Sequence, residues 1–297
     1  MLNRRQLARG IAALSALTVS AAAGHAAAAD SIDKLTEAFA HVEAKSGGRL
    51  GVAVFDSETG MQTAYRGDER FPMCSTSKLI TVAAILKRID TGKLANDQLV
   101  VFSAADLVTY SPVTERRVGA GGMTIAELCE AAITVSDNTA ANLLINALGG
   151  PAGVTSFARQ IGDQVTRLDR IEPELNEAQP GDPRDTTSPL AIASNLRTIT
   201  RSGVLSDIAA GRLISWLLAN KTGNARLRAG LPPKWRVGDK TGSGGNGTTN
   251  DVAVFWPSGR NAVYLSAYLT ETAAPQAARE ATLAAVARAV ADVVTAG

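Results

Sequence analysis

The chain has 297 residues, of which 45% are hydrophobic and 20% charged, a composition typical of a globular protein with one large domain or two smaller ones. Its formal net charge is +2, and removing Arg4, Arg5 and Arg9 of a predicted leader leaves −1. No basic stripe therefore indicates nucleic-acid binding, and no segment after the leader is apolar enough to span a bilayer.

Residues 1–29 are predicted to be an export signal. Arg4 and Arg5 precede an apolar run from Ile11 to Ala23, and small residues follow as far as Ala29. The paired arginines favour the twin-arginine route over an ordinary Sec leader. A buried first helix is a weaker interpretation, because the run is short and rich in alanine. We therefore expect a periplasmic or secreted protein.

The first elements after the leader are a helix and a hairpin. The helix is predicted over Ser31–Ala44, because apolar residues recur there at helical spacing. Arg49–Asp56 is predicted to be a strand, Gly60 lies in the turn, and Met61–Arg66 returns as the second strand.

The middle of the chain, from Thr76 to about Leu218, is mainly helical in pattern. Helices are predicted over Thr124–Ala132, Asn138–Leu148, Val154–Ile161 and Leu190–Thr198. Strands resume late, at Asp251–Trp256 and Ala262–Thr270, and a final helix is predicted over Gln276–Val294.

Strands at both ends of the chain predict an α/β (α+β) fold. Such strands most simply join one antiparallel sheet, which the first and last helices would cover. The sheet domain would be discontinuous, from residues 30–66 and 219–297, and an all-helical domain, residues 67–218, would be inserted into it. A pocket between two such domains is a usual place for a site.

The segment Phe71–Lys78 is predicted to be a loop that runs into an apolar helix, Leu79–Leu86, with Ser75 at the helix mouth. Free N–H groups and the helix dipole favour negative charge there, so the hydroxyl can be activated and the N–H of Ser75 can help hold an oxyanion. Lys78 shares that helical face and can accept the serine's proton in a dry site. A capping serine followed by a surface lysine is the alternative.

Histidine and cysteine are scarce. Of the two histidines, His25 lies in the leader and His41 after it, which excludes a multi-histidine zinc site and disfavours a Ser-His-Asp triad. No metal or cofactor is expected, and a hydrolase would use lysine or a carboxylate as its base. Cys74 and Cys129 could form one disulfide or none.

Three further motifs accompany Ser75-x-x-Lys78. Ser136-Asp137-Asn138 lies between two predicted helices, the sequence RIEPELN spans residues 170–176, and Lys240-Thr241-Gly242 leads into a glycine-rich turn. Taken singly, they are explained as helix caps, an acidic surface loop and a turn with an exposed lysine. Four such motifs in this order are highly specific.

Together the motifs resemble those of the class A serine β-lactamases, from about Gly47 to the last helix. The segments Asp239–Gly244 and Gly181–Thr187 resemble the branch that contains cefotaxime-hydrolysing enzymes and Burkholderia-type penicillinases. The resemblance implies the serine β-lactamase/D,D-peptidase-like fold and hydrolysis of the β-lactam amide of penicillins and cephalosporins, which confers antibiotic resistance. Small β-lactams are the expected partners, and a monomer is the default expectation, with the oligomeric state left open.

The resemblance assigns the acylation machinery. Ser75 attacks the β-lactam carbonyl, and Lys78 eases its deprotonation. The N–H groups of Ser75 and Ser243 form the oxyanion hole. Ser136 passes a proton to the leaving ring nitrogen, with Lys240 close by.

It also assigns the water-activating loop. Glu172 is the general base for water, Asn176 holds that water, and the bond before Pro173 is cis in the family. Arg170 and Asp185 pair across the neck of the loop; two unrelated surface charges are the alternative.

The predicted substrate contacts are Lys240, Thr241, Gly242 and Ser243 for the carboxylate, Asn138 for the side-chain amide, and Tyr110 as an aromatic wall. Some family members hold an arginine where this chain has Thr249. Arg226 stands at the alternative position for reaching the carboxylate, and a solvated arginine is an equal interpretation. Gly244 and Gly245 are predicted to leave a pliable strand edge.

Neither family disulfide can form. One needs a cysteine at Val82 as the partner of Cys129, and the carbapenem-hydrolysing branch needs one at Gly244 as the partner of Cys74. We therefore expect two free thiols.

A penicillin-binding D,D-peptidase and a β-lactam sensor are the competing interpretations. Glu172 with Asn176 discriminates between them and a β-lactamase, because peptidases and sensors lack this pair. A sensor would also need a membrane anchor and a signalling segment.

Overall fold

The computed structural model describes residues 30–201 and 203–296. The predicted export signal, including His25, lies outside the described residues. Within these ranges no helix is both long and apolar enough to cross a membrane.

Five antiparallel strands form the central sheet: β1 (Arg49–Asp56), β2 (Gln62–Tyr65), β7 (Arg236–Ser243), β8 (Thr249–Trp256) and β9 (Val263–Thr270). Their order is β2-β1-β9-β8-β7. Strand β1 pairs with β9 along its whole length, with Val52 opposite Ala267. Strands from both ends of the chain therefore lie side by side, which confirms the predicted sheet.

The helices are α1 (30–46), α2 (Ser77–Asp90), α3 (Ile125–Thr134), α4 (Asn138–Ala147), α5 (Pro151–Gln160), α6 (Pro189–Arg201), α7 (Asp207–Leu218), α8 (Leu227–Gly230) and α9 (Gln276–Ala296). Two short ladders join distant segments: β3 (Phe71–Pro72) with β6 (Thr186–Thr187), and β4 (Leu99–Val100) with β5 (Met123–Thr124).

The sheet is buried on both faces, because successive residues of a strand point to opposite sides. In β1, Leu50, Val52 and Val54 belong to the apolar cluster shared with α1 and α9. Ala53 and Phe55 belong to the cluster shared with the helical region. The central strands thus join two hydrophobic cores, and the helical region rests on one face of the sheet.

Several elements were not predicted: the short strands β3 to β6, the helix α8, and two longer elements, β7 and α7. Strand β7 carries Gly238, Lys240 and Gly242 in place of large β-formers, so its sequence lacks a strand pattern. Helix α7 lies in the stretch predicted to be mainly helical, but it had no predicted bounds. The division into domains at residues 66/67 and 218/219 stays a prediction.

Candidate active site

The predicted nucleophile lies in a tight turn at the start of α2. Ser75 occupies a 3-10 turn, Cys74–Thr76, that leads directly into the helix. Lys78 follows in the first turn of α2, is 1% exposed, and donates from Nζ to Ser75 Oγ at 2.6 Å. The serine and the lysine of this motif are therefore in contact, and the lysine is not on the surface.

A buried carboxylate also reaches the nucleophile. Glu172 Oε1 pairs with Lys78 Nζ and accepts from Ser75 Oγ at 3.3 Å. Lys78 Nζ also donates to Asn138 Oδ1 at 2.9 Å. Lys78 and Glu172 thus both contact the Ser75 hydroxyl. Because a lone buried charge is strongly destabilising, each of these two side chains stabilises the buried position of the other.

Burial separates Glu172 from its acidic neighbours. Glu172 is 1% exposed, whereas Glu174 and Glu177 lie on the surface. Its other carboxylate oxygen accepts a hydrogen bond from Asn176 Nδ2, and the Glu172-Pro173 bond is cis. The carboxylate is therefore held from two sides, with the nucleophile on one and Asn176 on the other.

One residue that sequence reasoning missed fixes the backbone of Glu172. Asn142 of α4 accepts from the Glu172 N–H at 2.9 Å and donates to the Glu172 carbonyl at 2.8 Å. A signal was present in the sequence, since Asn142 stands one helical turn after Asn138 and so shares its face of α4.

The Glu172 loop, residues 170–185, is closed at its neck by a buried carboxylate. Asp185 Oδ2 accepts from Arg170 Nε at 2.6 Å, and its Oδ1 accepts from the N–H groups of Asp169 and Arg170 at 2.7 and 2.9 Å. Asp185 is buried. The two ends of the loop are thus held together by this contact. The alternative interpretation, in which Arg170 and Asp185 are unrelated surface charges, is wrong.

Ser136 and Lys240 meet from different parts of the fold. Ser136 lies between α3 and α4 with φ 61, a strained conformation for a residue with a side chain. Its Oγ accepts from Lys240 Nζ at 3.0 Å, and Nζ also donates to Thr241 O at 2.8 Å. Lys240 is 0% exposed. Burial, and then the nearby charge of Lys78, lower the pKa of Lys240 well below its usual value.

Asp137 connects α4 to the segment that carries Tyr110. Its Oδ1 accepts from the Ala140 N–H at 2.8 Å, which caps α4, and its Oδ2 accepts from the Thr114 N–H at 3.0 Å. The Asn138 N–H donates to Tyr110 O at 3.0 Å. Tyr110 is 56% exposed and lines the cavity above Ser75.

Arg226 is a buried bridge at the end of β7. Its Nη1 donates to Gly242 O and Asn250 O, both at 2.8 Å, and its Nη2 donates to Ser243 Oγ at 2.7 Å. The side chain is 5% exposed, so the interpretation of Arg226 as a solvated arginine is wrong. Thr249, at the other position considered, is also buried.

Glycines let β7 approach the nucleophile closely. A Cβ on Gly242 would lie 2.7 Å from Met73 O, and one on Gly244 would lie 2.6 Å from Cys74 Sγ. The N–H of Gly245 donates to Asn176 O at 2.8 Å. The glycine run therefore packs tightly against the Glu172 loop, and the pliability of this strand edge stays a prediction.

Two buried carboxyl groups lie side by side in the sheet next to the site, Asp239 in β7 and Asp251 in β8. Asp239 accepts from Asn220 Nδ2 at 2.7 Å and pairs with Arg228. Asp251 accepts from the Leu227 N–H at 3.1 Å. Burial and the neighbouring Asp239 raise the pKa of Asp251 well above its usual value.

Both cysteines are buried free thiols, and burial raises the pKa of each. Because the thiolate is the reactive species, we expect Cys74 and Cys129 to resist alkylation in the folded protein. Titration with a chromogenic disulfide reagent, without reductant, should find two thiols after denaturation and essentially none before. Finding none after denaturation would show a disulfide and contradict this expectation.

The site opens into a cavity of about 500 Å³ between the helical region and β7. Predicted site residues that line the cavity are Ser75, Tyr110, Ser136, Asn138, Asn176, Arg226, Thr241, Gly242 and Ser243. Lys78, Glu172 and Lys240 are buried and contact the residues of this lining. Elsewhere in the described ranges, no cluster of three or more histidine, cysteine or acidic residues could hold a metal ion.

Comparison with known proteins gives consistent results. Residues 34–294 match the β-lactamase enzyme family. β-Lactamase CTX-M-8 of Citrobacter amalonaticus is 53% identical over 85% of this chain and 87% of its own length, and β-lactamase OXY-2 of Klebsiella oxytoca is 48% identical over 88% and 90%. Among solved structures, an ancestral class A β-lactamase superposes with a TM-score of 0.86 at 61% identity, covering 87% of this chain and 99% of its own. The putative class A β-lactamase PenP of Rhodopseudomonas palustris gives 0.85 at 55% identity, over 87% and 98%.

Proposed function

Because the chain belongs to the class A β-lactamases, a family that hydrolyses β-lactams, we propose that it does so by forming and then hydrolysing an ester on Ser75. One observation carries this mechanism: Lys78 and Glu172 both contact Ser75 Oγ, and Asn176 holds the far oxygen of the same carboxylate. A nucleophile and a second base for water thus share one buried network.

In acylation, Ser75 Oγ attacks the lactam carbonyl and its proton passes to Lys78 or Glu172. The N–H groups of Ser75 and Ser243 hold the oxyanion that forms. The C–N bond then breaks as Ser136 gives its proton to the ring nitrogen. The group that took the proton of Ser75 returns a proton to Ser136 Oγ, which leaves Glu172 ionised for the next step. Lys240, which donates to Ser136 Oγ, stabilises the oxygen as that proton leaves.

In deacylation, a water between Glu172 and Asn176 attacks the ester carbonyl. Glu172 takes the proton of that water, and the proton returns to Ser75 Oγ as the ester bond breaks. Asn142 positions the carboxylate through the backbone. The presence of this base favours a β-lactamase over a D,D-peptidase or a sensor.

The β7 side of the cavity suits the substrate carboxylate. Lys240 supplies positive charge, and Thr241 and Ser243 supply hydroxyl donors beside Gly242. Arg226 donates to Ser243 Oγ, so it acts on the carboxylate through that hydroxyl as a positioning residue. The opposite side of the cavity would receive the acyl side chain of the substrate. Tyr110 would form an apolar wall there, and Asn138 would bind the side-chain amide.

The predicted spectrum is hydrolysis of penicillins and early cephalosporins, with some turnover of oxyimino-cephalosporins and little of carbapenems. The run Ser243-Gly244-Gly245, which resembles that of the cefotaxime-hydrolysing branch, supports this spectrum. Steady-state rates on benzylpenicillin, cefotaxime and imipenem test it. Efficient imipenem hydrolysis would contradict the spectrum, and failure to hydrolyse benzylpenicillin would contradict the function.

We further propose that the leader directs export by the twin-arginine route and that the mature enzyme acts in the periplasm as a monomer. Its partners would be small β-lactams, with no nucleic acid. The sheet domain and the inserted helical domain would then form the two sides of the substrate cavity.

A further inference from the structure

The mouth of the cavity carries a lysine that has no role in the reaction described above. Lys221 lines the cavity beside Thr222, and its backbone N–H donates to Thr134 O at 2.9 Å. Its side chain is exposed, and no carboxylate pairs with its ammonium group across residues 30–201 and 203–296.

Two contacts place Lys221 on the side of the cavity that receives the fused ring of the substrate. Thr134, which accepts its N–H, lies two residues before Ser136, the proposed proton donor to the ring nitrogen. Thr222, the next residue, contacts Thr241, a proposed ligand of the ring carboxylate, with 2.5 Å between the two Oγ1 atoms. Lys221 therefore stands next to the ring and its carboxylate.

The structure of the substrate indicates which of its groups would lie near Lys221. In a cephalosporin, the C3 substituent is bonded next to the carbon that bears the carboxylate, so it leaves the ring on the Lys221 side. The acylamino group leaves from the other end of the β-lactam ring, towards Asn138 and Tyr110. The C3 substituent and the acylamino group therefore lie at opposite ends of the cavity, so a charge on each of them tests a different end.

The other cations near the ring are already engaged. Arg226 Nε lies 3.6 Å from Glu280 Oε1, and Glu280 also accepts from Gln276 Nε2 at 3.0 Å. Lys240 is buried and donates to Ser136. Lys221 therefore differs from both, because its exposed ammonium group has no carboxylate partner among the described residues.

We propose that Lys221 is a specificity-determining residue that favours cephalosporins whose C3 substituent carries a negative charge. The inference rests on the proposed function, because it needs the ring carboxylate to bind at Thr241. An exposed ion pair is weak and is screened by salt, so the preference is about threefold to fivefold and falls as ionic strength rises.

Cefamandole and cefonicid test this proposal, since they share the acyl side chain and differ at C3 only by a sulfonate on the tetrazole methyl group. In Lys221→Met, the ratio of kcat/KM for cefonicid to that for cefamandole should fall about threefold to fivefold, through KM. Lys221→Arg keeps the charge and should restore the ratio. High salt should lower the ratio of the parent enzyme towards that of Lys221→Met.

Benzylpenicillin and its α-sulfonate, sulbenicillin, form the matched control, because their extra sulfonate lies on the acyl side chain. Their ratio should not change in Lys221→Met. An unchanged cefonicid ratio, or an equal fall in both pairs, would overturn the proposal. If the parent hydrolyses none of the four compounds, the proposed function itself has failed, which is a distinguishable outcome.

Discussion

Replacing Glu172 by Gln is expected to lower penicillin turnover by about 10²- to 10⁴-fold, the range that a general base contributes. The amide keeps the shape of the side chain and its position against Asn176, but it cannot take a proton from water. Lys78 still contacts Ser75 Oγ at 2.6 Å and, in its neutral form, can accept the serine proton, so acylation should survive better than ester hydrolysis. Steady-state kcat on benzylpenicillin measures the loss.

The matched control is Glu174→Gln, which makes the same chemical change on the exposed side of the same loop. It should leave kcat within about twofold of the parent, because surface substitutions of this kind have small effects. A Glu172→Gln variant that turns over benzylpenicillin at the parent rate would exclude Glu172 as the base.

Of the substitutions proposed here, Asp185→Asn should cost the most stability, about 3–5 kcal/mol in the free energy of unfolding. The buried carboxylate accepts from Arg170 Nε and from two backbone N–H groups, and an amide removes the charge and one acceptor oxygen. The Glu172 loop should then loosen, so penicillin kcat should fall while bulky cephalosporins gain access. Chemical denaturation and kinetics on one penicillin and one oxyimino-cephalosporin measure both effects.

Asp182→Asn is the control for this loop. Asp182 pairs with Arg184, which is half exposed, and a pair of that kind contributes at most about 1 kcal/mol. The two variants are compared in melting temperature and in penicillin kcat. If Asp185→Asn changes these values no more than Asp182→Asn does, the contact between Asp185 and Arg170 does not hold the loop.

The sheet could be predicted from the sequence because its strands have strong local patterns. Arg49–Asp56 and the strand ending at Thr270 are rich in β-branched and aromatic residues, and strands at both ends of one chain have few ways to pair. Strand β7 could not be predicted in this way, since Gly238, Lys240 and Gly242 break its pattern. Gly242 lets the strand approach the turn that carries Ser75, Lys240 contributes to the site, and Gly238 lets the strand pack against α7.

The candidate site was predictable where four short motifs recur in a known order, and less so where it depends on tertiary contacts. Sequence reasoning found Ser75, Lys78 and Glu172, but it could not show that all three meet in one buried network. It missed Asn142, because an asparagine on a helix has many ordinary explanations. Only the fold shows that this side chain holds the backbone of Glu172, the proposed base.

The most direct measurement of the central claim is the time course of intact mass after benzylpenicillin is mixed with the parent and with Glu172→Gln. The parent should show the acyl adduct briefly or not at all. The variant should accumulate one penicilloyl group, and peptide mapping should place it on Ser75. A variant that stays free of adduct while losing activity, or an adduct on another residue, would contradict a mechanism in which Ser75 forms the ester and Glu172 removes it.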